Sequence, residues 1–372
     1  MTGQKPRARE LGIAFPGRPG PHNAITDVPR VEVGFKTLTK LAKSAKEVQI
    51  LTGVTAILPR GHASEPLPVY AGQFDLNGNG EMTGSHWIRD AGYFLGPICI
   101  TNTHSVGIVH QAAIRYLMDA YPSHFRKYHS WAMPVVAETY DGLVNDICGM
   151  HVTEADAIEA LRAAGSGALV EGNVGGGAGM STYEFKGGTG TSSRQIEIND
   201  RCYTLGVLVQ SNLGKRSEFV VRGVPVGLHM TEDAIQTGAG LPDQGSIIVV
   251  IATDAPLMPT QLQRLAKRGA LGVGRTGTSG GHYSGDLMLA FSVANPIEHP
   301  AIGETQPHAF RGEWLNDAHL DLIYAPTVDA VEESIINAML AAETVPTFKP
   351  PGHLVKAIDP DKLLAVMRKY GR

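Results

Sequence analysis

The stretch Leu241-Pro-Asp-Gln-Gly-Ser-Ile-Ile-Val-Val-Ile-Ala-Thr253 passes from turn-forming residues directly into an apolar run. Proline, aspartate and glycine favour a turn because each adopts backbone angles that turns need. The run from Ser246 to Thr253 is rich in β-branched residues, which is typical of a strand buried on both faces. We therefore expect a core strand with Ser246 at its beginning.

The sequence around that strand predicts a mixed α/β class. Apolar or alternating runs of strand length predict further strands at residues 28–33, 48–58, 203–210 and 287–293. Apolar residues at helical spacing, together with capping residues, predict helices at 106–121, 153–164, 259–268, 327–342 and 360–369. The glycine-rich segment 165–190 has too few large apolar residues for a helix. We expect a loop there, or glycine-rich strands with a close neighbour.

The composition of the 372-residue chain excludes several classes of protein. Hydrophobic residues make up 43% and charged residues only 18%, which excludes intrinsic disorder and a coiled coil because both are rich in charge. The formal net charge is −4 and like charges form no long block, so we expect no nucleic-acid partner. Apolar runs fall short of the ~20 residues of a membrane span. The first residues lack the apolar core of a secretion signal, so we expect a cytoplasmic protein.

Three other motifs carry chemistry in some proteins, and we interpret each as structural here. Asp75-Leu-Asn-Gly-Asn-Gly-Glu81 matches the first positions of a calcium loop, but His86 stands where the closing carboxylate belongs. Gly272-Val-Gly-Arg-Thr-Gly277 has the glycine spacing of a dinucleotide site but follows a predicted helix, not a strand. Cys148, like the other two cysteines, is expected to be a reduced residue of the core.

The Gly245-Ser246 bond has the chemistry of a self-cleavage site. Glycine leaves its carbonyl unshielded and tolerates strained backbone angles, and the serine hydroxyl can attack that carbonyl to form an ester. After hydrolysis of the ester, Ser246 carries a free α-amine whose pKa of about 8 suits a general base at neutral pH. Because Gly-Ser pairs are common in ordinary turns, the residues alone favour a plain turn.

Motifs along nearly the whole chain favour self-cleavage over a plain turn. They are Arg9-Glu-Leu-Gly-Ile13, Pro16-Gly-Arg-Pro-Gly-Pro-His-Asn-Ala-Ile-Thr-Asp-Val-Pro29, Asn77-Gly-Asn-Gly-Glu-Met-Thr-Gly84, Pro134-Val-Val-Ala-Glu-Thr-Tyr-Asp-Gly142 and Gln210-Ser-Asn-Leu-Gly214. With them the chain resembles the family of the L-aminopeptidase D-amidase/D-esterase and the β-peptidyl aminopeptidases. These are N-terminal-nucleophile hydrolases, made as one precursor and cut in two. The resemblance implies a four-layer α/β/β/α sandwich shared with the ornithine acetyltransferases, and a homotetramer of cleaved protomers.

The resemblance also implies where the nucleophile and its supporting groups lie. The family's nucleophile matches Ser246, so the implied chains are residues 1–245 and 246–372, which together form one domain. The supporting serine and carboxylate match Ser284 and Asp286. Several family members have glutamate where this chain has aspartate, which is one methylene shorter. We expect contact with the Ser246 amine to need a shifted backbone or a water molecule.

Three further positions match local motifs of the family. Tyr140 and Asn212 match positions whose hydroxyl and amide can donate hydrogen bonds to the oxyanion of a tetrahedral intermediate. Glu138 matches the position that faces the free amine of the substrate, where a charge-assisted hydrogen bond explains cleavage from the N-terminus only. The plainer interpretation of Glu138 is a solvated carboxylate at the end of a strand.

The function expected from the sequence is therefore a self-cleaving aminopeptidase that needs no metal or cofactor. Its expected substrates are short peptides, amino-acid amides and esters, with β-peptides as a further option. One alternative is an acyltransferase of the ornithine acetyltransferase type, although that group begins with threonine at the cut. The other is a non-catalytic small-molecule binding protein that stays one chain. The sequence leaves open the preference between α- and β-amino substrates and between L- and D-forms.

Overall fold

The computed structural model describes residues 5–42, 44, 47–127, 130–235, 245–297, 309 and 311–372. The expected turn at residues 241–244 lies outside the described residues. Within the described part of the chain, the strands form a six-stranded sheet, a four-stranded sheet and two small two-stranded sheets, with helices between and after them. The mixed α/β class expected from the sequence is confirmed.

The six-stranded sheet contains the strand that begins with Ser246. Its strands are, in spatial order, β4 (Tyr93–Phe94), β3 (Val69–Gly78), β12 (Gly285–Ser292), β11 (Ser246–Thr253), β10 (Arg201–Asn212) and β9 (Gly188–Ile198). β11 is central, and all its residues are buried. It pairs antiparallel with β10 and parallel with β12. The core strand expected at Ser246 and the strands expected at 203–210 and 287–293 are therefore confirmed.

The four-stranded sheet lies earlier in the chain. Its strands are, in spatial order, β1 (Glu32–Lys40), β2 (Ile50–Leu58), β5 (Ile98–Asn102) and β6 (Val135–Thr139). β2 confirms the strand expected at 48–58, whereas β1 begins at Glu32, later than expected. Residues 29 and 30 form a turn in which Arg30 has a positive φ of 70°. The small sheets pair β7 (Ser181–Thr182) with β8 (Phe185–Lys186) and β13 (Val345–Pro346) with β14 (Leu354–Val355).

Seven α-helices are found among the described residues. They are α1 (Ser85–Ala91), α2 (Val106–Ala120), α3 (Pro122–Lys127), α4 (Glu154–Arg162), α5 (Pro259–Arg275), α6 (Asp321–Ala341) and α7 (Pro360–Lys369). α4 begins after Thr153, whose side chain accepts a hydrogen bond from the Asp156 N–H, as the capping residues predict. No helix in the described ranges is long and apolar enough to cross a membrane.

The end expected for α5, before Gly269, is wrong because the helix continues to Arg275. Packing explains the difference. A Cβ atom at Gly272 would lie only 2.6 Å from Cβ of Val331 in α6, so the absence of a side chain lets the two helices approach closely. This tertiary contact outweighs the low helix propensity of glycine. The 272–277 glycine motif therefore starts inside a helix and lacks the strand that a dinucleotide site needs.

Apolar side chains fill three zones that place the two sheets face to face. The zone between the sheets contains Ile100 and Ala137 from the smaller sheet and Ile248 and Leu289 from the larger one. The other face of the six-stranded sheet packs against α5 and α6. The other face of the four-stranded sheet packs against α2 and α4. Ser246 thus begins a strand that is covered on both faces.

Three smaller sequence expectations are also decided by the structure. Cys99 is buried as expected, but Cys148 and Cys202 are exposed, so they are not core residues. Cys148 lies in a short 3₁₀ turn and Cys202 lies near the solvent-exposed beginning of β10.

The Asp75 carboxylate accepts hydrogen bonds from Gln73 at 2.5 Å and Arg89 at 3.1 Å, within and beside β3. The glycine-rich segment contains loops, a buried 3₁₀ turn at Gly175–Gly179 and the beginning of β9.

Candidate active site

Ser246 lies at the amino end of β11 with its hydroxyl beside the preceding peptide bond. The side-chain Oγ donates a hydrogen bond to the carbonyl oxygen of Gly245 at 2.8 Å. The backbone N–H of Gly285 donates to Ser246 Oγ at 3.3 Å and to the Gly245 carbonyl oxygen, also at 3.3 Å. Ser246 is nearly buried, with 4% of its surface exposed. A hydroxyl and a backbone donor thus meet at the bond that the sequence predicts to be cut.

Strand register brings two further residues to Ser246. On one side Ser246 pairs with Asn212 of β10, and on the other it pairs with Gly285 of β12. Side chains alternate along a strand, so Ser246 points to the same face as Ile248, which packs between the two sheets. Asn212, as the register partner of Ser246, lies on that face as well. The Ser246 hydroxyl therefore lies where the space between the two sheets ends.

Ser284 and Asp286 flank Gly285 and form a buried hydrogen-bonded pair. Ser284 Oγ donates to Asp286 Oδ1 at 2.6 Å, and both residues are buried. Asn77 of β3 donates from Nδ2 to Asp286 Oδ2 at 3.0 Å. Both oxygens of the carboxylate therefore accept hydrogen bonds, and these bonds fix its orientation one residue from the register partner of Ser246.

Asn212 and Tyr140 are joined by a hydrogen bond. Asn212 Nδ2 donates to the backbone carbonyl of Tyr140 at 2.9 Å, and Asn212 Oδ1 accepts from the N–H of Ser181 at 2.8 Å. The Tyr140 side chain is 39% exposed, and its hydroxyl lies against Gly142, where an added Cβ atom would be 2.2 Å away. Partial burial raises the pKa of Tyr140, so the hydroxyl keeps its proton at neutral pH.

Glu138 of β6 is buried, so it is not a solvated carboxylate at the end of a strand. Its Oε1 accepts a hydrogen bond from the N–H of Glu81 at 3.0 Å, and its Oε2 accepts one from the Thr103 hydroxyl. Burial raises the pKa of Glu138 above the ordinary 4.5, and the two hydrogen bonds act in the opposite direction. An ionised carboxylate at this depth is stabilised further by any cation that reaches it.

The segment between β3 and α1 separates Glu138 from the strand ends around Ser246. A Cβ atom added to Gly80 would lie 3.2 Å from Glu138 Oε1 and 3.4 Å from the Cα atom of Gly285. Glu138 and Gly285 therefore contact the same glycine. The structure thus brings Ser246, Asn212, Ser284, Asp286 and Glu138 to one end of the two sheets, with the backbone of Tyr140 beside Asn212.

Residues that the sequence analysis missed hold these groups in place. Asn77 binds the Asp286 carboxylate, Thr103 binds Glu138 and Ser181 binds Asn212. Asn77 could have been found from the sequence, because it is the first residue of a motif that carries the resemblance to the family. Thr103 follows β5, and its contact with Glu138 depends on the parallel pairing of β5 with β6. No local pattern in the sequence indicates that pairing.

Comparison with known proteins decides the family. A family model described as Peptidase family S58 matches residues 23–351. This chain belongs to peptidase family S58. The family model spans most of the chain and includes each of the site residues described above.

Two named relatives agree with that assignment. Beta-peptidyl aminopeptidase BapA of Sphingosinicella microcystinivorans is 46% identical over 387 aligned residues, which cover 100% of this chain and 94% of that protein. A protein of the same name from Sphingosinicella xenopeptidilytica is 43% identical and covers 91% of this chain and 86% of its own length. The similarity to the two relatives therefore extends over 100% and 91% of this chain.

Solved structures show the same fold. The L-aminopeptidase D-Ala-esterase/amidase from Ochrobactrum anthropi is described as a prototype of the serine aminopeptidases and a variant of the Ntn hydrolase fold. It matches with a TM-score of 0.93 at 51% identity over 99% of both chains. A β-aminopeptidase from a Burkholderia species matches with a TM-score of 0.89 at 42% identity over 99% of both chains.

These findings confirm the resemblance seen in the sequence. The protein is a hydrolase of the serine peptidase kind with a variant of the N-terminal-nucleophile hydrolase fold. The comparisons support an aminopeptidase over both alternatives, the acyltransferase and the non-catalytic binding protein.

Proposed function

We propose that this member of family S58 is an aminopeptidase that matures by cutting its own chain between Gly245 and Ser246. The observation that carries the proposal is the Ser246 hydroxyl, which lies 2.8 Å from the Gly245 carbonyl oxygen at the beginning of a buried central strand. The products are chains 1–245 and 246–372, which stay together as one domain because β11 and β12 from the second chain pair with β10 and β3 from the first.

The cut proceeds in two steps, formation of an ester and its hydrolysis. Ser246 Oγ attacks the carbonyl carbon of Gly245, the peptide C–N bond breaks, and the hydroxyl proton passes to the nitrogen that becomes the Ser246 amine. Water then hydrolyses the ester and restores the hydroxyl. Negative charge develops on the Gly245 oxygen during attack, where the Gly285 N–H already donates a hydrogen bond. The backbone of β12 thus supplies a donor for self-cleavage.

Peptide hydrolysis uses the same serine after the cut. Ser246 Oγ attacks the first carbonyl of the substrate while the new α-amine, with a pKa of about 8, takes the proton and later returns it to the leaving group. Water then releases the acyl group from Ser246. Ser284 and Asp286 flank the register partner of Ser246, so we assign them to hold and orient this amine.

Asn212 and Tyr140 are the proposed donors to the oxyanion of the substrate. The Asn212 amide carries two hydrogens, one of which binds the Tyr140 carbonyl, and we assign the other to the oxyanion. The protonated hydroxyl of Tyr140 is the second donor. Loss of one such donor costs about 3–4 kcal/mol of activation free energy in well-studied hydrolases.

Glu138 is the proposed binding group for the free amine of the substrate. Its buried carboxylate, held by neutral donors, attracts an ammonium group and places the first carbonyl next to Ser246. We propose short peptides, amino-acid amides and esters as substrates, with β-peptides among them. The proposal draws support from the relatives named β-peptidyl aminopeptidase and L-aminopeptidase D-Ala-esterase/amidase.

The finer architecture is part of the proposal. The three apolar zones support a four-layer α/β/β/α sandwich of the kind shared with ornithine acetyltransferases. A homotetramer of cleaved protomers and a cytoplasmic location complete it.

The proposal is tested with Ser246→Ala and with Ser279→Ala as a matched control. Ser279 is an exposed serine in a nearby loop, where its hydroxyl binds Glu218. We expect Ser246→Ala to stay a single chain and to lose all hydrolysis of an amino-acid p-nitroanilide. We expect Ser279→Ala to mature and to keep its activity. Hydrolysis by the Ser246→Ala protein at the wild-type rate would overturn the assignment of the nucleophile.

A further inference from the structure

The segment Asp75–Glu81, which resembles the beginning of a calcium loop, supplies the Glu81 N–H to Glu138, but its asparagines have no role in the function proposed so far. Its carboxylate Asp75 is bound by Gln73 and Arg89, so it is already neutralised within the fold. Its asparagines, in contrast, point to the strand and loop that carry Ser284 and Asp286. The segment therefore contacts the site through amide donors.

We propose that Asn77 is a positioning residue that holds the Asp286 carboxylate next to the Ser246 amine. The inference rests on the proposed function, in which Asp286 supports that amine. Asn77 Nδ2 donates to Asp286 Oδ2 at 3.0 Å and to the carbonyl oxygen of Gly281 at 3.2 Å. An amide nitrogen has two hydrogens, and these two contacts use both. Asn77 thereby ties the carboxylate to the loop that precedes Ser284.

The backbone around Asp286 supports a positioning role. Asn77 pairs with Asp286 in the β3–β12 ladder, and the register then shifts so that Leu287 pairs with Asp75. A bulge of this kind changes the direction of the neighbouring side chains and occurs often next to active sites. The extra residue, Leu76, lies on β3 beside Asn77, whereas Asp286 stays in the regular parallel ladder with β11. The side-chain carboxylate of Asp286 is held by hydrogen bonds from Asn77 and Ser284 at its two oxygens.

Asn79 provides a matched control on the same segment. Its Nδ2 donates to the backbone carbonyl of Tyr283 at 2.7 Å, so it contacts the same loop. Its described hydrogen bond is to backbone, two residues from the amide that holds Asp286. A general loosening of the loop is expected from either substitution, whereas displacement of Asp286 is expected only from a change at Asn77.

The experiment measures kcat and KM for Asn77→Ala, Asn77→Ser, Asn77→Asp and Asn79→Ala. Only protein that has been cut before Ser246 is counted as enzyme, and its amount is measured from the 246–372 chain by mass spectrometry. Slow maturation is then not mistaken for slow catalysis. Because a hydrogen bond to a charged group is involved, we expect kcat of Asn77→Ala to fall about tenfold to a hundredfold with KM almost unchanged. We expect the kcat of Asn77→Ser to fall less, because serine keeps a hydrogen-bond donor. We expect the kcat of Asn77→Asp to fall most, because the substitution places a second carboxylate against Asp286. Asn79→Ala stays near wild type.

The outcomes separate this inference from the proposed function. An Asn77→Ala enzyme with wild-type kcat, or an equal loss in Asn79→Ala, overturns the role of Asn77. Asp286→Asn tests the function by itself: if it keeps full kcat, the supporting role of Asp286 is wrong. Loss of kcat in Asp286→Asn without loss in Asn77→Ala leaves the proposed function standing and removes only this inference.

Discussion

Two buried glutamates of this protein carry their carboxylates in opposite surroundings. Glu333 of α6 accepts hydrogen bonds from the guanidinium groups of Arg9 and Arg194, at 2.7–3.0 Å, and from the Asn23 amide. Glu138 is also buried, but its described hydrogen bonds come from a hydroxyl and a backbone N–H. One carboxylate is neutralised by the chain itself, whereas the other is stabilised by neutral dipoles.

The difference separates a structural carboxylate from a binding one. Glu333 ties the N-terminal segment and β9 to α6, since Arg9 and Asn23 lie in that segment and Arg194 lies in β9. The ionised carboxylate of Glu138 is not paired with a guanidinium among its described hydrogen bonds. Burial raises its pKa. A buried acid with a raised pKa is a candidate for a functional site, and the described hydrogen bonds of Glu138 include no guanidinium that would neutralise it. The substrate ammonium is the cation that the proposed function supplies.

Removal of the neutralised carboxylate has the largest expected effect on stability. Glu333→Gln leaves Arg194, which is fully buried, without its anionic partner. Breaking a buried ion pair in this way typically costs about 3–5 kcal/mol. We expect that loss in urea unfolding of the Ser246→Ala single chain, in which separation of two chains does not contribute.

The matched control for Glu333 is Glu313→Gln. Glu313 pairs with Arg201 on the surface, where both side chains are more than half exposed. Exposed ion pairs contribute about 0–1 kcal/mol, so the control is expected to lose little stability. Equal losses in the two variants would contradict the comparison between the buried glutamates.

Removal of the binding carboxylate has the largest expected effect on substrate binding. Glu138→Gln loses a charge-assisted hydrogen bond, and we expect kcat/KM for substrates with a free amine to fall about a hundredfold, mainly through KM. Maturation is expected to be unchanged, because the role of Glu138 begins with the substrate. The exposed Glu159→Gln in α4 serves as the control. Unchanged kinetics in Glu138→Gln would remove the assignment.

The pH dependence is a smaller and finer test of the same residue. Substrate binding needs the ionised form of Glu138, so kcat/KM should fall as the pH drops through its raised pKa, above 4.5. This acid limb is expected to be absent from Glu138→Gln. The effect on stability has the opposite sign: a raised folded pKa contributes stability below about pH 4.5 that is lost as the pH rises through the folded pKa. Wild type should therefore lose stability relative to Glu138→Gln as the pH rises.

Local patterns were sufficient to predict much of the fold. β2, β10, β11 and β12 were predictable because each is an apolar run of strand length, and α4 was predictable from the Thr153 cap. Errors occurred where contacts between elements decide the outcome. α5 passes through Gly269 because its glycines pack closely against neighbouring elements, and Cys148 is exposed because its segment is a short turn. Neither the close packing of these glycines nor the exposure of Cys148 can be predicted from a local sequence pattern.

The site was predictable in its members and not in its connections. Motifs indicated Ser246, Ser284, Asp286, Asn212 and Glu138, but the register of β10, β11 and β12 is what brings the first four together. The supporting bond from Asn77 to Asp286 joins residues 209 positions apart. Such a contact depends on the order of strands in the sheet, which periodicity and composition do not determine.

Cleavage of the chain before Ser246 is checked by the intact mass of the purified protein under denaturing conditions. The uncut chain has a mass of 39.6 kDa. For chains of ordinary composition, we expect species of about 26 kDa and about 13.5 kDa, the smaller beginning Ser-Ile-Ile-Val, and one uncut species for Ser246→Ala. A fully active wild-type protein that remains a single species of 39.6 kDa would contradict this expectation.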